Sequence, residues 1–305
     1  MSNKKLMIII AGPTAVGKTA TAIEIARRLD TVIFSADSRQ LYKGPVIGTA
    51  APDEEELKAV RHYFVAELEI DEYYNVAMYE QQALKRASEI FKEKHSIVVA
   101  GGSGLYINAL CHGIDELPDA DERLRNDIKK SYEREGLEWL QKEVQRLDPE
   151  YFSIVDKKNP KRLMRALEVC LATGKTYTEL RKSTRKKRDF EILKIALNLH
   201  REKLFERINR RVDKMMEAGL EAEARRFYPY RHLNALNTVG YKELFEYFDG
   251  KTSLERAVEN IKTNTRRYAK RQITWFKKDP EFQWFSPFDT EKILETINKK
   301  IESLQ

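Results

Sequence analysis

One segment near the amino terminus has a spacing suited to holding phosphate groups. Residues 12–19 read GPTAVGKT and match the pattern G-x-x-x-x-G-K-[ST]. The glycines let the backbone wrap so that its N–H groups point at phosphate oxygens, and a following helix adds its positive N-terminal end. Lys18 would neutralise a terminal phosphate, and the Thr19 hydroxyl suits a Mg²⁺ ligand. We therefore predict a polyphosphate site formed by Gly12, Pro13, Thr14, Ala15, Val16, Gly17, Lys18 and Thr19.

The kind of polyphosphate stays open from this motif alone. Proteins that bind nucleoside triphosphates hold Mg²⁺ with an aspartate that ends a second apolar strand. The candidate strand, 97–100, instead runs into Gly101-Gly102-Ser103-Gly104 and offers no carboxylate. This weakens the ATPase interpretation, but small-molecule kinases vary at this point. A small-molecule or nucleoside kinase that uses ATP therefore stays as the alternative function.

A second motif offers a carboxylate beside hydrogen-bond donors. Residues 35–42 read SADSRQLY and follow a predicted strand over 31–35. Asp37 at this point suits a general base, and it equally suits a cap for the next segment. Ser38, Arg39 and Gln40 offer donors for a base edge or a phosphate. Spacing alone does not choose between these two readings of Asp37.

Strands that alternate with helices must position both motifs. Short apolar runs predict strands over 6–11, 31–35 and 97–100, and helices over 18–29 and 75–94 lie between them, the second capped by Asn75. This alternation is typical of an α/β fold with a parallel sheet. Ligands of such sheets bind at the carboxyl ends of the strands, where both motifs begin.

The character of the chain changes near residue 119. Residues 121–148 predict a charged helical stretch and 161–173 another helix that Gly174 stops, whereas 192–199 predicts a strand that returns to the sheet. The chain after this strand predicts helix to about residue 247, with breaks near 228–229 and 240, and again over 253–278, while 105–111 predict a helix in the earlier part. We therefore expect a parallel α/β core made of 1–115 and 188–305. An all-helical insertion domain over 116–187 would interrupt it.

Composition narrows the class of protein. The chain has 305 residues, of which 42% are hydrophobic and 34% charged, which excludes a disordered chain. Two cysteines form no disulfide framework, so we expect a cytoplasmic protein. No apolar run reaches the length of a membrane span, so we expect no membrane partner. The net charge of the chain is +7, and the excess of positive charge lies in residues 121–305, which include 42 basic and 31 acidic residues. A polyanionic partner or well-solvated helices would each explain that imbalance.

Seven stretches together resemble the tRNA dimethylallyltransferases, also called tRNA isopentenyltransferases. They are GPTAVGKT (12–19), SADSRQLY (35–42), GGSGLY (101–106), NPKRLMRALEV (159–169), RVDKMMEAGLEAEA (211–224), TVGYKE (238–243) and KRQITWFK (270–277). They occur in family order and span nearly the whole chain. Ser103 stands where the family usually has threonine, and no cysteine follows Cys170 that could serve a C-terminal zinc finger. The chain is thus similar to the shorter, bacterial form.

The resemblance implies a prenyl transfer on a P-loop-type core. The family moves a dimethylallyl group from dimethylallyl diphosphate to N6 of the adenosine immediately 3′ of the anticodon in tRNA, and diphosphate leaves. A loop that holds two phosphates with Mg²⁺ stabilises the charge that develops as the C–O bond breaks, so the phosphate loop is explained without ATP. The implied cofactor is Mg²⁺, and the implied partners are the tRNA anticodon stem-loop and dimethylallyl diphosphate. No protein partner is implied, so we expect a monomer.

The resemblance also assigns roles to single residues. Asp37 would orient the amine and accept its proton, while Lys18, Thr19 and Arg211 would hold the diphosphate. For Arg211, a solvated charge on an amphipathic helix is the alternative. The residues implied to contact tRNA are Asp37, Ser38, Arg39, Gln40, Ser103, Arg125, Lys161, Arg162, Leu163, Met164, Arg165, Lys270, Arg271 and Gln272, with 239–242 as a lesser candidate.

Two basic stretches fit an RNA-binding surface. Residues 181–188 carry six basic residues in eight, and 262–278 carry seven in seventeen, interleaved with aromatic residues. We expect the basic side chains to contact RNA and Trp275 mainly to pack. An amphipathic helix with core aromatics is the alternative for the second stretch. A tRNA-binding protein without catalysis is a third hypothesis, and it predicts that Asp37→Ala leaves function intact.

Overall fold

The chain divides into two compact units. The computed structural model describes residues 4–115, 117–118, 121–182 and 185–304. The larger unit comprises residues 1–111 and 187–305, and the smaller unit comprises residues 112–186. The smaller unit thus begins before the predicted boundary at 116, itself outside the described residues, and ends at 186 rather than at 187.

A parallel sheet forms the centre of the larger unit. Its strands are β1 (Leu6–Ala11), β2 (Ile33–Ala36), β3 (His62–Tyr63), β4 (Ser96–Gly101), β5 (Glu191–Leu197) and β6 (Gln283–Phe285). The described residues give the order β3-β2-β4-β1-β5-β6, and all the pairings are parallel. β1 pairs with β4 and β5, and none of its residues is more than 1% exposed. A continuous apolar run suits such a central strand, because both faces of a parallel sheet are covered.

Helices cover the sheet and build the smaller unit. Asn75 caps α3 as predicted, since its side chain accepts a hydrogen bond of 2.9 Å from the Met78 N–H. The α/β fold class with an all-helical insertion is confirmed. In chain order the helices are α1 (Lys18–Arg28), α2 (Glu54–Ala59), α3 (Val76–Ile90), α4 (Gly104–His112), α5 (Glu122–Leu147), α6 (Pro149–Ile154), α7 (Pro160–Thr173), α8 (Tyr177–Leu180), α9 (Arg201–Glu217), α10 (Leu220–Phe227), α11 (Tyr241–Phe248), α12 (Leu254–Phe276) and α13 (Thr290–Glu302).

The carboxyl ends of three strands meet at one edge of the sheet. In the strand register, Gly101 of β4 lies opposite Ala11 of β1 and Ala36 of β2. A Cβ on Gly101 would stand 2.2 Å from the Ala36 carbonyl oxygen, so only glycine allows this close approach. The segments 12–17, 37–40 and 102–103 all start from this edge. The two predicted motifs therefore begin at the same edge of the sheet, on either side of β4.

The smaller unit, made of α5–α8, has its own hydrophobic core. Leu140 and Leu163 are fully buried in it. The buried Asp148 carboxylate accepts hydrogen bonds from the Tyr151 N–H and from the N–H and hydroxyl of Thr178, and so joins α6 to α8. α7 ends as predicted at Gly174, whose φ of +68° suits a C-terminal cap.

Within the described part of the chain, six elements were not predicted from the sequence. They are α2, α6, α8, α13, β3 and β6. β3 and β6 have two and three residues at the margins of the sheet, and so short a run carries no readable periodicity. Among the described residues, no helix combines the length and apolar character that crossing a membrane would need.

Candidate active site

The phosphate loop follows β1 and opens α1, as predicted. The Lys18 ammonium donates a hydrogen bond of 2.8 Å to the Pro13 carbonyl, which draws the side chain over the loop. Gly17 precedes α1 with a φ of +114°, and among the described side chains none caps this N-terminus. No acidic residue lies in the first turn of α1. The end of α1 is therefore suited to an external anion.

Lys18 lies in an unusual electrostatic environment. Burial lowers its pKa to about 8, while Asp37 acts in the opposite direction and Arg211 adds to the lowering. A lysine with such a pKa is partly neutral in mildly alkaline solution and takes up a proton when an anion approaches. The protonation of Lys18 therefore depends on whether an anion is bound in the loop.

Backbone and side-chain hydrogen bonds fix the segment that carries Asp37. One Asp37 carboxylate oxygen accepts a bond of 2.9 Å from the Arg39 N–H. The Ser103 hydroxyl accepts a bond of 3.0 Å from the Ser38 N–H, and the Ser103 N–H donates to the Ala36 carbonyl. Ser103 therefore joins the end of β4 to residues 36–38. This position between two strand ends is a structural role in addition to the predicted contact with tRNA.

Helix α9 presents basic side chains to the phosphate loop. Arg211 donates a bond of 3.4 Å to the Thr14 hydroxyl, and burial lowers the pKa of its guanidinium. Arg207 lies one turn earlier, with a guanidinium nitrogen 3.5 Å from where a Cβ on Gly17 would stand. Lys214 lies three residues after Arg211, on the same face of the helix. Only Arg211 was predicted, although the spacing of these three residues within a predicted helix could have identified the others.

These residues surround one cavity of about 620 Å³. Thr19, Asp37 and Gln40 line it together with the phosphate loop, α9 and Tyr268 of α12. A smaller cavity of about 90 Å³ is also lined by Asp37, together with Arg39 and residues 238–240. The structure thus brings together the predicted residues Thr14, Ala15, Gly17, Lys18, Thr19, Asp37, Gln40, Arg211 and Gln272.

Gln272 differs from its predicted role. Its side chain is only 5% exposed. The amide oxygen accepts a bond of 2.9 Å from the Thr14 N–H, and the amide nitrogen donates one of 3.0 Å to the Gly102 carbonyl. Gln272 therefore connects the phosphate loop to the end of β4. This arrangement argues against the predicted contact of its side chain with tRNA.

The neighbours of Gln272 on α12 face outward. Lys270 and Arg271 are exposed, as an RNA-binding surface needs. Trp275 packs its indole nitrogen against the backbone of Gly104, yet 43% of the residue remains exposed. The prediction that Trp275 mainly packs therefore describes only part of its surface.

The predicted residues of the smaller unit lie on α5 and α7. Lys161 and Arg162 are exposed, and Met164 is partly buried. Arg125 and Arg165 form ion pairs of 3.6 and 3.4 Å with Glu168. Leu163 is fully buried in the core of the unit, which argues against the predicted contact between its side chain and RNA. In a helix with an amphipathic pattern, one residue of a contiguous run must turn inward.

The basic stretch 181–188 is not a uniform surface. Arg181 and Lys182 are exposed, and residues 183–184 lie outside the described part of the chain. Arg188 is buried instead: its guanidinium donates to Glu80 at 2.7 Å and to the carbonyls of Ala109 and Leu110. Arg188 thus holds the end of α4, and this corrects its predicted contact with RNA.

Comparisons with known proteins agree on one family. The model of the family described as IPP transferase matches residues 40–279. The chain is 51% identical over 299 residues to a protein named tRNA dimethylallyltransferase 2 from Azobacteroides pseudotrichonymphae, covering 96% of this chain and 97% of that one. It is 52% identical over 291 residues to tRNA dimethylallyltransferase 1 from Bacteroides thetaiotaomicron, covering 95% and 94%.

Solved structures give the same result. The full-length tRNA isopentenylpyrophosphate transferase from Bacillus halodurans matches with a TM-score of 0.73 and 35% identity, over 99% of this chain and 98% of that chain. A eukaryotic dimethylallyltransferase described as acting on tRNA matches with a TM-score of 0.73 and 28% identity, over 89% and 69%.

Proposed function

The chain belongs to the IPP transferase family, as its motifs indicate, and on that premise we propose a specific reaction. The protein transfers a dimethylallyl group from dimethylallyl diphosphate to N6 of the adenosine immediately 3′ of the anticodon in tRNA. Diphosphate is the second product. The observation that carries this proposal is the single cavity in which the phosphate loop, the basic face of α9 and Asp37 come together.

The cavity suits a diphosphate leaving group. As the bond between the allylic carbon and oxygen breaks, negative charge grows on the diphosphate. The backbone N–H groups before α1, the Lys18 ammonium and the guanidinium groups of Arg207 and Arg211 offer fixed positive charge at this place. Because the hydrogen bonds of Gln272 and Pro13 hold the loop in place, little reorganisation is needed during the reaction.

Asp37 lies where the second substrate must approach. The attacking amine is weakly nucleophilic because its lone pair is delocalised into the adenine ring. The Asp37 carboxylate would accept a hydrogen bond from N6 and orient it toward the allylic carbon. A carboxylate is a poor base toward a neutral amine, so the proton leaves best once N6 has begun to bond and carries positive charge. Since Asp37 lines both cavities, it can contact an amine placed between them.

The residues around the phosphate loop fit Mg²⁺. This ion prefers oxygen ligands, and it is usually held by one or two carboxylates together with substrate phosphates and water. The Thr19 hydroxyl and the carboxylates of Asp37 and Glu56 line the cavity. When bound, Mg²⁺ would neutralise part of the diphosphate charge. We propose Thr19 as its protein ligand.

The adenosine must leave its stack to enter the cavity. Single-stranded loops are recognised by splayed bases, aromatic contacts and positive charge. Tyr268 lines the cavity, and burial raises its pKa, so its phenol stays neutral beside the base. Lys270 and Arg271, exposed on the same helix, would contact tRNA phosphates near the target base. Lys161 and Arg162, exposed on α7 of the smaller unit, would also contact tRNA.

A transfer assay tests the reaction. The protein is incubated with Mg²⁺, an unmodified anticodon stem-loop and one of two donors. The donors are dimethylallyl diphosphate labelled in its dimethylallyl group and ATP labelled in its γ-phosphate. We expect label in the RNA from the first donor only, and none when guanosine replaces the target adenosine. Phosphorylation of any acceptor with ATP, together with no prenyl transfer, would show a kinase instead.

Two substitutions separate catalysis from binding in this assay. Asp37→Ala should reduce transfer at least a hundredfold, the usual scale for a general base, while the stem-loop still binds. Asp30→Asn is the matched control, because the Asp30 side chain is 94% exposed and pairs only on the surface with Lys94. Equal transfer by wild type and Asp37→Ala would remove Asp37 from the mechanism.

A further inference from the structure

A buried carboxylate outside the catalytic group collects four hydrogen bonds. Glu223 of α10 is 8% exposed. One of its oxygens accepts from the N–H groups of Val46 and Ile47 at 3.0 and 2.9 Å. The other accepts from the Gly48 N–H at 2.8 Å and from the Tyr241 hydroxyl at 2.6 Å. Three successive backbone N–H groups around one carboxylate form the kind of concave site that normally binds an external anion.

Tyr241 closes this arrangement from the other side. It is fully buried at the start of α11, and burial together with the bond to Glu223 raises the pKa of its phenol, which therefore donates. A Cβ on Gly48 would stand 2.6 Å from the Tyr241 ring. The loop 46–48 thus lies between a carboxylate and an aromatic ring, and only glycine fits at its third position.

The residues that follow this loop form part of the cavity wall. Thr49 and Ala50 line the cavity beside Asp37. Their carbonyls accept bonds of 3.4 and 2.9 Å from the Gln40 side chain, whose oxygen in turn accepts from the Ser35 hydroxyl at 3.1 Å. A continuous set of hydrogen bonds therefore runs from Glu223 through the loop to the segment that carries Asp37.

We propose that Glu223 is a positioning residue for the transfer reaction. Its carboxylate acts as an internal anion that fixes the loop 46–48, and through Gln40 it fixes the distance between the cavity wall and Asp37. Glu223 supplies the fixed geometry of the cavity wall rather than a contact with substrate. The effect on rate rests on the proposed function, whereas the effect on the loop does not.

Hydrogen exchange of the free protein tests the anchoring directly. In wild type the amides of 46–48 should exchange slowly, because each donates to Glu223. In Glu223→Gln an amide group must face at least one of these donors, so exchange in this segment should rise at least tenfold. Glu221→Gln on the same helix is the control, since Glu221 only pairs with Arg225 on the surface. Unchanged exchange in Glu223→Gln would overturn the proposal.

Kinetics test the consequence for catalysis. We expect the single-turnover rate of Glu223→Gln at saturating substrates to fall at least tenfold, while the Kd for tRNA changes less than twofold. Tyr241→Phe removes one of the four donors and should lower the rate two- to threefold with an intermediate rise in exchange. If circular dichroism shows that Glu223→Gln does not fold, Tyr241→Phe replaces it in both the exchange and the rate measurements. A rate that stays at the wild-type value despite faster exchange would also overturn the proposal.

The two proposals fail in different ways. Absence of prenyl transfer by wild type would refute the proposed function, and the exchange experiment would still decide whether Glu223 anchors the loop. Normal transfer by wild type and by both variants would leave the function intact and refute the positioning role.

Discussion

The charge of Lys18 makes diphosphate binding depend on pH in a way that can be measured. Burial lowers the pKa of the free lysine to about 8, and Asp37 and Arg211 act on it in opposite directions. A diphosphate in the loop favours the protonated form, so binding requires proton uptake wherever the lysine is neutral. Affinity relative to that of Lys18→Arg at the same pH should therefore be constant below about pH 8 and fall above it, because the ligand's own titration affects both proteins equally.

The size of the effect follows from the lowered pKa of Lys18. At pH 9, one unit above a pKa of about 8, roughly a tenth of the Lys18 side chains are protonated. The affinity for diphosphate relative to Lys18→Arg should then be about tenfold weaker than at pH 7, a loss of ~1.4 kcal/mol. The ligand loses protons as pH rises and becomes more negative, which strengthens binding. A fall in affinity must therefore come from the protein.

Titration calorimetry with inorganic diphosphate between pH 6.5 and 9.5 provides the measurement. Lys18→Arg should move the fall out of this range, because a guanidinium stays protonated. Lys58→Met is the control, since Lys58 is 76% exposed and pairs only with Glu54. A ratio of wild-type to Lys18→Arg affinity that stays constant up to pH 9.5 would refute the assignment of Lys18 as the titrating cation.

The same lysine makes an independent prediction about stability. Its pKa in the folded protein lies below the ordinary lysine value of 10.5, so the charged form destabilises the fold. Below about pH 8 Lys18 is charged in both the folded and the unfolded protein, so the full free-energy cost of burying the charge lowers the stability. This cost disappears as pH rises from about 8 toward 10.5, because the folded protein then releases the proton first. Lys18→Met should therefore unfold at a higher urea concentration than wild type at pH 7, and the difference should shrink above pH 8. If the difference between the urea midpoints of wild type and Lys18→Met does not shrink above pH 8, the charged form of Lys18 does not destabilise the fold.

Four further substitutions test the remaining assignments. Gln272→Glu places a carboxylate against the Gly102 carbonyl and beside the phosphate loop. Calorimetry should therefore show that this variant binds diphosphate about tenfold more weakly than wild type, a loss of ~1.4 kcal/mol. An unchanged Kd would contradict the role of Gln272 in holding the loop. Gly101→Ala forces a Cβ into backbone and should lower the free energy of unfolding in urea by about 2 kcal/mol or more, and a stable variant would show that the strand ends can separate. Arg188→Met removes the partner of the buried Glu80 carboxylate and should lower the free energy of unfolding by about 3 kcal/mol in the same experiment. Arg181 is exposed, so Arg181→Met should unfold like wild type, and the salt dependence of its RNA binding should fall by about one charge. The reverse pattern would show that Arg188, and not Arg181, contacts RNA.

Local patterns predicted the elements that carry the chemistry. The apolar run before GPTAVGKT is β1 with the predicted bounds, and Asn75 caps α3 as its position indicated. The short strands β3 and β6 were not predicted, because a segment of two or three residues is stabilised by its neighbours in the sheet and not by its own pattern.

Motif matching did not distinguish residues that touch a ligand from residues that hold the site together. Gln272, Leu163 and Arg188 all lie within basic or polar runs that suggest RNA binding, yet the structure buries each of them. Arg207 lies beside the phosphate loop but outside the stretches that match the family, and only its helical spacing from Arg211 could have indicated it. Such differences depend on which face of a helix turns inward, and a run of identical residue types is compatible with several rotations.

The sequence by itself determined the class of chemistry and the order of the elements. The phosphate loop is local: eight adjacent residues between a strand and a helix contain the glycines, the lysine and the hydroxyl that define it, so no distant contact is needed to recognise it. Only the tertiary structure decided the partners of those residues. Glu223 meets 46–48, Gln272 meets Thr14, and Arg188 meets Glu80 across long stretches of chain, because the packing of helices against the sheet, and not the spacing along the chain, sets which polar groups must satisfy one another once water is excluded.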